Sequence, residues 1–100
     1  MMTLLFLTIS LLFLDACSRQ YAPDSQASGE QIYRSACLEC HKPAPNGSIF
    51  MLKAKQANLA YIGGKIHNGS LLMPSFPHMN AADLKKVSMY ALQYTDITGE

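Results

Sequence analysis

Within one turn of chain the sequence places two thiols and an imidazole, in Cys37-Leu38-Glu39-Cys40-His41. On a helix, positions i, i+3 and i+4 share a face, so both sulfurs and the ring nitrogen point into the same space. A fold that contains this turn must leave room for whatever the three side chains hold. The chain has only 100 residues, nearly half of them apolar. One domain is therefore expected, smaller still once any targeting segment is removed. Domains below about 70 to 80 residues seldom live on a hydrophobic core alone, and usually recruit disulfides, a metal or a prosthetic group. Three cysteines cannot all pair internally, and Cys17 stands apart from the other two.

Three chemistries use such a cluster. Cys-x-x-Cys-His is the attachment signature of c-type haem: two thiols reach the vinyl groups on one edge of the porphyrin while the imidazole reaches its iron. A redox dithiol also uses Cys-x-x-Cys, but within a βαβ pattern, which is missing here. Zinc takes four ligands in a tetrahedron, and beyond Cys37, Cys40 and His41 only Cys17, His67 and His78 are left, none repeating a paired spacing. The spacing favours haem, with Cys37 and Cys40 as thioether residues and His41 as the proximal iron ligand.

The N-terminus carries a different signal. Thr3 to Leu14 is a run of twelve uncharged, mostly apolar residues, which matches the core of a secretory signal and is short for a membrane span. It ends in Leu14-Asp15-Ala16-Cys17, which resembles a bacterial lipoprotein signal, so residues 1–16 are expected to be a signal peptide and Cys17 a lipid attachment site. An uncleaved anchor and ordinary cleavage nearby are the competing readings. Either way the domain is exported, on the periplasmic side. Ser18 to Ser28 is small and polar with no apolar period, so residues 17–28 read as a flexible tether.

Three helices follow from period and caps. Ser28 and Gln31 have the form of a capping box ahead of Ile32, Tyr33 and Ala36, predicting a helix to about Cys37. Ala57 to Asn68 carries Leu59, Ile62 and Ile66 and ends at Gly69, although Gly63 and Gly64 weaken it. Asn80 caps a third, with Asp83 in its first turn and Leu84, Val87, Ala91 and Tyr94 along one face. Lys85 and Lys86 are expected to point away. Lys42–Ser48 and Ser70–Met79 hold the remaining prolines and read as loops. No segment alternates well enough for a strand, and the class expected is all-α.

With these elements in place, the chain resembles small bacterial class I cytochromes c from Gly29 to Tyr94. Gly29-Glu30-x-Ile32-Tyr33 is similar to the family's first helix, where the glycine permits close helix crossing, and Leu84, Val87 and Tyr90 to the terminal helix that crosses it. Ile66-x-x-Gly69-x-x-x-Met73-Pro74-x-Phe76 resembles the distal loop, in which a methionine before proline supplies the sixth iron ligand. The resemblance implies a cytochrome c domain over residues 29–97, with three main helices and loops wrapped around one covalently bound haem c, and Met73 as distal ligand. Met79 and His78 are rivals for that position, but neither precedes proline. Met51, Met79 and Met89 are read as core filler, and His67 as a surface residue. The apolar wall is expected to include Ile49, Phe50, Leu59, Leu71, Leu72 and Phe76. An acceptor for the second ring nitrogen of His41 is sought within Pro45–Ser48.

An iron with both axial positions filled by protein suits one-electron transfer rather than catalysis. The expected partners are redox proteins: a dehydrogenase or quinol-oxidising complex on one side, a terminal oxidase or reductase on the other. The chain is read as an electron carrier, or the electron-transfer subunit of an oxidoreductase, held at a membrane by lipid. A haem-based sensor or enzyme with a labile sixth ligand is one alternative, and a zinc-stabilised interaction domain another. Formal charge is +1, which excludes the basic excess that neutralises nucleic-acid phosphates. Lys53, Lys55 and Lys65 read as a docking patch for an acidic partner or, more simply, as solvated charge.

Overall fold

The computed structural model describes residues 20–99; the signal-peptide reading and Cys17 lie outside them. Helix α1 spans Gly29–Ala36, α2 Leu59–Asn68 and α3 Ala81–Gln93. Each begins where a short polar side chain satisfies a free backbone N–H. At α1 the capping box is complete, with Ser28 Oγ accepting from Gln31 N at 3.2 Å and Gln31 Oε1 from Ser28 N at 2.8 Å. Asn58 Oδ1 accepts from Tyr61 N at 2.8 Å and Asn80 Oδ1 from Asp83 N at 2.9 Å. Such caps contribute about 1 kcal/mol each.

Helix α3 packs against both α1 and α2, presenting buried Val87 and Ala91. At the α1–α3 crossing a Cβ on Gly29 would lie 2.3 Å from the Lys86 carbonyl oxygen, so only glycine lets the backbones approach this closely. Gly63, a mark against α2 in the sequence, sits beside Ser88 of α3. The core is Ile32, Tyr33, Cys37, Ile62, Ile66, Phe76, Met79, Val87 and Ala91.

Three expectations are corrected. The class is mostly helical rather than all-α, because β1 (Phe50–Leu52) pairs in parallel with β2 (Thr95–Ile97), Phe50 opposite Thr95. Strands of three residues are too short to show alternation, and this pair joins the loop after the thiol turn to the end of α3. Met51 and Met89 are not core filler: they are 73% and 55% exposed, whereas Met79 is 3% exposed. Lys86 is only half-solvated. Its Nζ donates to the carbonyls of Ser25 and Ala27 at 3.4 and 3.2 Å and lies 3.7 Å from Asp83 Oδ1, so the later part of the tether is held against the domain. Tyr21 and Ala27 pack on the core beside it.

Candidate functional site

The thiol turn continues the register of α1. Cys37 is the residue that closes the helix, its N–H donating to the Tyr33 carbonyl at 2.8 Å. The Cys37 carbonyl then accepts from Cys40 N at 3.2 Å and His41 N at 2.8 Å. This extra turn keeps the three side chains together, and all three line one cleft of about 420 Å³. The two cysteines are unpaired, Cys37 buried and Cys40 exposed. Burial, with the neighbouring Cys40 adding to it, pushes the Cys37 thiol up to about 11. Burial lowers the His41 pKa, which favours the neutral imidazole with a free lone pair.

His41 is held from two sides. The Tyr33 hydroxyl donates to its carbonyl oxygen, and its ring lies against Phe50 with centroids 5.0 Å apart. Sequence reasoning did not find the Tyr33 link, since nothing local ties a helix residue to a carbonyl eight positions on. In the loop expected to supply an acceptor for the ring, Ala44 N donates to Ser48 O at 2.7 Å.

Met73 lines the same cleft. Its loop is set by Gly69, which ends α2 with φ of +70° and whose missing Cβ would lie 2.6 Å from the Met73 carbonyl oxygen. Ser70 N donates to Met73 O at 2.9 Å and Phe76 N to Ile66 O at 3.0 Å, fastening the loop to the end of α2. The rivals lie elsewhere: Met79 is in the core, while His78 and His67 are exposed, and none of the three lines the cleft. Of the expected wall, Ile49, Phe50 and Leu72 line it, and Phe76 lines a smaller pocket shared with Met73 and Cys40. Leu59 and Leu71 line neither, and Leu71 is fully exposed. Tyr61, Lys65 and Ser70 are wall residues the sequence reading missed. Lys65 is one helical turn from both Ile62 and Tyr61, and that spacing carried a signal; Ser70, beyond the helix end, had none.

The donor set fits haem c. Two free thiols and an imidazole stand in an apolar cleft with a thioether, an N and S pair suited to iron. Among the described residues no group of three or more His, Cys, Asp or Glu is arranged to hold a metal ion by itself. Residues 24–90 match the family model described as cytochrome C oxidase, cbb3-type, subunit III. The chain belongs to that family. By that membership it is a class I c-type cytochrome, an electron carrier whose family implies haem c, and whose domains are typically exported or membrane-associated. The match takes in α1, the thiol turn, α2, the Met73 loop and α3 as far as Tyr90. Neither the curated proteins nor the solved structures compared with this cytochrome gave a match. Among the described residues no helix is long and apolar enough to cross a membrane.

Proposed function

We propose that this cytochrome binds one haem c by thioethers at Cys37 and Cys40, with His41 and Met73 as axial ligands, and carries single electrons between redox proteins. The observation that carries the reading is the convergence of two free thiols, a neutral imidazole and a thioether on one apolar cleft. When bound, haem supplies one-electron exchange between ferrous and ferric iron. The chain's part is to orient and to exclude. The Tyr33 hydroxyl and the Phe50 ring hold His41; the Gly69 turn presents Met73; Ile49, Ile62, Ile66 and Val87 keep water from the cleft. A filled axial pair leaves no vacant position for substrate, which favours transfer over catalysis.

The wider setting is part of the same proposal. A signal peptide over 1–16 exports the domain, and a lipid on Cys17 holds it at the periplasmic face of a membrane. There it passes electrons from a dehydrogenase or quinol-oxidising complex to a terminal oxidase or reductase, as a free carrier or as an oxidoreductase subunit. The deciding experiment is expression in a host that attaches haem c, followed by visible spectra of oxidised and reduced protein. A Soret band that survives denaturation is expected, with a weak far-red sulfur-to-iron band lost in Met73→Ala and kept in Met79→Ala. A native protein that lacks the far-red band and binds carbon monoxide at neutral pH overturns the Met73 assignment.

A further inference from the structure

From His41, at the cleft, the aromatic rings form an unbroken file. The His41 ring is 5.0 Å from Phe50, and Phe50 is 6.2 Å from Tyr33 in an edge-on contact. Tyr33 is 5.3 Å from Tyr90, and Tyr90 is 4.8 Å from Tyr94. Tyr33 also touches the ligand residue directly, through its hydroxyl on the His41 carbonyl. Exposure rises along the file, from 3% at Tyr33 through a half-buried Tyr90 to 37% at Tyr94.

Rings at a helix crossing pack well whatever their chemistry, and edge or tilted contacts at these distances are ordinary core geometry. Packing alone, however, is served by phenylalanine or leucine. Three phenols in succession, the last one reaching water, differ in being the most easily oxidised rings in a chain with no tryptophan. We propose that Tyr33, Tyr90 and Tyr94 conduct oxidising equivalents from the site to the surface, so that peroxide damage falls on an exposed phenol rather than on haem. This rests on the haem assignment made above.

Charge favours this file over the other tyrosine at the site. Tyr61 lines the cleft, but Lys65 Nζ stands 5.8 Å from its ring centroid, and a cation there opposes loss of an electron. Among the described residues Tyr90 has no cation over its ring: burial first, and then Glu30 and Tyr94, raise its pKa, and the nearby Arg34, which lowers it, is paired with Glu30 at 3.0 Å. The Tyr33 hydroxyl is committed to a carbonyl, which is too weak a base to accept its proton, so the oxidation does not rest there. It comes to rest at Tyr94, where water takes the proton.

The step balances with hydrogen peroxide as oxidant. Peroxide takes up two electrons and two protons, its O–O bond breaks, and two waters form. Ferrous haem, where bound and where peroxide displaces Met73, would supply one electron and become ferric, and the Tyr94 phenol supplies the other by way of Tyr90 and Tyr33. One proton comes from that phenol and the other from solvent, leaving a neutral phenoxyl radical. A diffusing one-electron reductant such as ascorbate returns one electron to Tyr94, with a proton from solvent, and a second equivalent would return the iron to ferrous.

The test uses the haem-loaded full chain, reduced to the ferrous state and then treated with excess hydrogen peroxide. Four readouts are taken: the Soret band of denatured protein before treatment, the rate of Soret bleaching, electron paramagnetic resonance of frozen samples, and peptide mass spectrometry. Native protein should show a tyrosyl radical and oxidation products at Tyr94. Tyr90→Phe and Tyr94→Phe, which keep the ring packing, should lose that product and bleach several-fold faster, while Tyr21→Phe behaves as native. Ascorbate should slow bleaching in native protein more than in Tyr94→Phe. Absence of covalent haem at the outset overturns the haem reading and this proposal with it. Covalent haem with oxidation at Tyr61, or with equal bleaching in native and Tyr94→Phe, overturns this proposal and leaves the haem reading standing.

Discussion

Gly29 and Lys86 meet backbone to backbone: the position a Cβ on Gly29 would take is 2.3 Å from the Lys86 carbonyl oxygen and 3.1 Å from the Tyr90 Cβ. No rotamer change relieves such a contact, because the atom in the way belongs to the main chain of α3. The crossing also fixes Tyr33 on Tyr90, and through the Tyr33 hydroxyl the position of His41. A defect at the crossing therefore reaches the site.

Gly29→Ala is expected to destabilise the haem-loaded protein by about 1–3 kcal/mol, the usual range for forcing a methyl into a filled contact. The gain in helix propensity, up to about 1 kcal/mol, does not offset it. Gly63→Ala should do the reverse. Its Cβ would meet only Ser88 Oγ, at 3.5 Å, an ordinary contact, so the reduced freedom of the unfolded chain should stabilise by about 0.4–1 kcal/mol. Denaturant midpoints of the two variants, measured against native protein, check the opposite signs. Equal destabilisation in both would mean that the helix contacts are not as described.

Ser88 is 1% exposed and its hydroxyl has no hydrogen-bond partner. Burying an unpaired hydroxyl costs about 1–3 kcal/mol. Ser88→Ala, which removes the hydroxyl and little volume, should raise the denaturant midpoint by an amount in that direction. Because Ser88 Oγ is the atom nearest a Cβ at position 63, the double variant with Gly63→Ala should depart from additivity, as neighbours do. An unchanged or lower midpoint in Ser88→Ala would mean that the hydroxyl has a partner in solution.

The helices were legible because their signals are local. Ser28 with Gln31 and Asn80 cap where the pattern of polar and apolar residues placed them, while Asn58 caps a helix that was expected to start at Ala57 and begins at Leu59. The thiol turn was legible for the same reason, as was Met73, marked by its proline and by Gly69. What escaped depends on pairs far apart in sequence. Phe50 and Thr95 come together only after α2 and α3 have packed, and three residues a side leave no period to read. The Lys86 contacts with Ser25 and Ala27 span about sixty positions, so a lysine beside Lys85 looked like ordinary solvated charge. Met51 and Met89 failed as core residues because hydrophobicity alone does not say which face of an element is covered.

Gly69 joins two demands at one position. Its φ of +70° is a conformation that side-chain-bearing residues avoid, and its Cβ would be 2.6 Å from Met73 O and 2.8 Å from Ser75 N. Gly69→Ala should therefore move the Met73 loop rather than merely weaken α2. The expected outcome is loss or weakening of the far-red sulfur-to-iron band with the covalent Soret band retained. Gly64→Ala, with nothing within 4 Å of its Cβ, serves as the control and should leave the band unchanged. A full-strength band in Gly69→Ala would show that the loop tolerates a side chain at this turn.

Tyr33 gives the fold an alkaline limit. Burial first, and then the neighbouring Tyr90 and Cys37, push its pKa above the ordinary value of 10.0. A phenol that ionises less readily folded than unfolded makes the unfolded chain the first to lose its proton as pH rises. The unfolded state then binds fewer protons than the native state, so stability falls with rising pH. The contribution is fully present below about pH 10 and is lost from there up through the raised folded value. Tyr90, raised by burial and by Glu30, acts in the same sense. A spectrophotometric titration should show phenolate appearing late in native protein, with part of that late absorbance missing in Tyr33→Phe. The variant should also lose about 1 kcal/mol at neutral pH with the hydrogen bond to the His41 carbonyl, and its stability should decline less steeply above pH 10. If Tyr33→Phe leaves both the late phenolate absorbance and the slope of stability against pH as in native protein, the Tyr33 hydroxyl is not buried against His41.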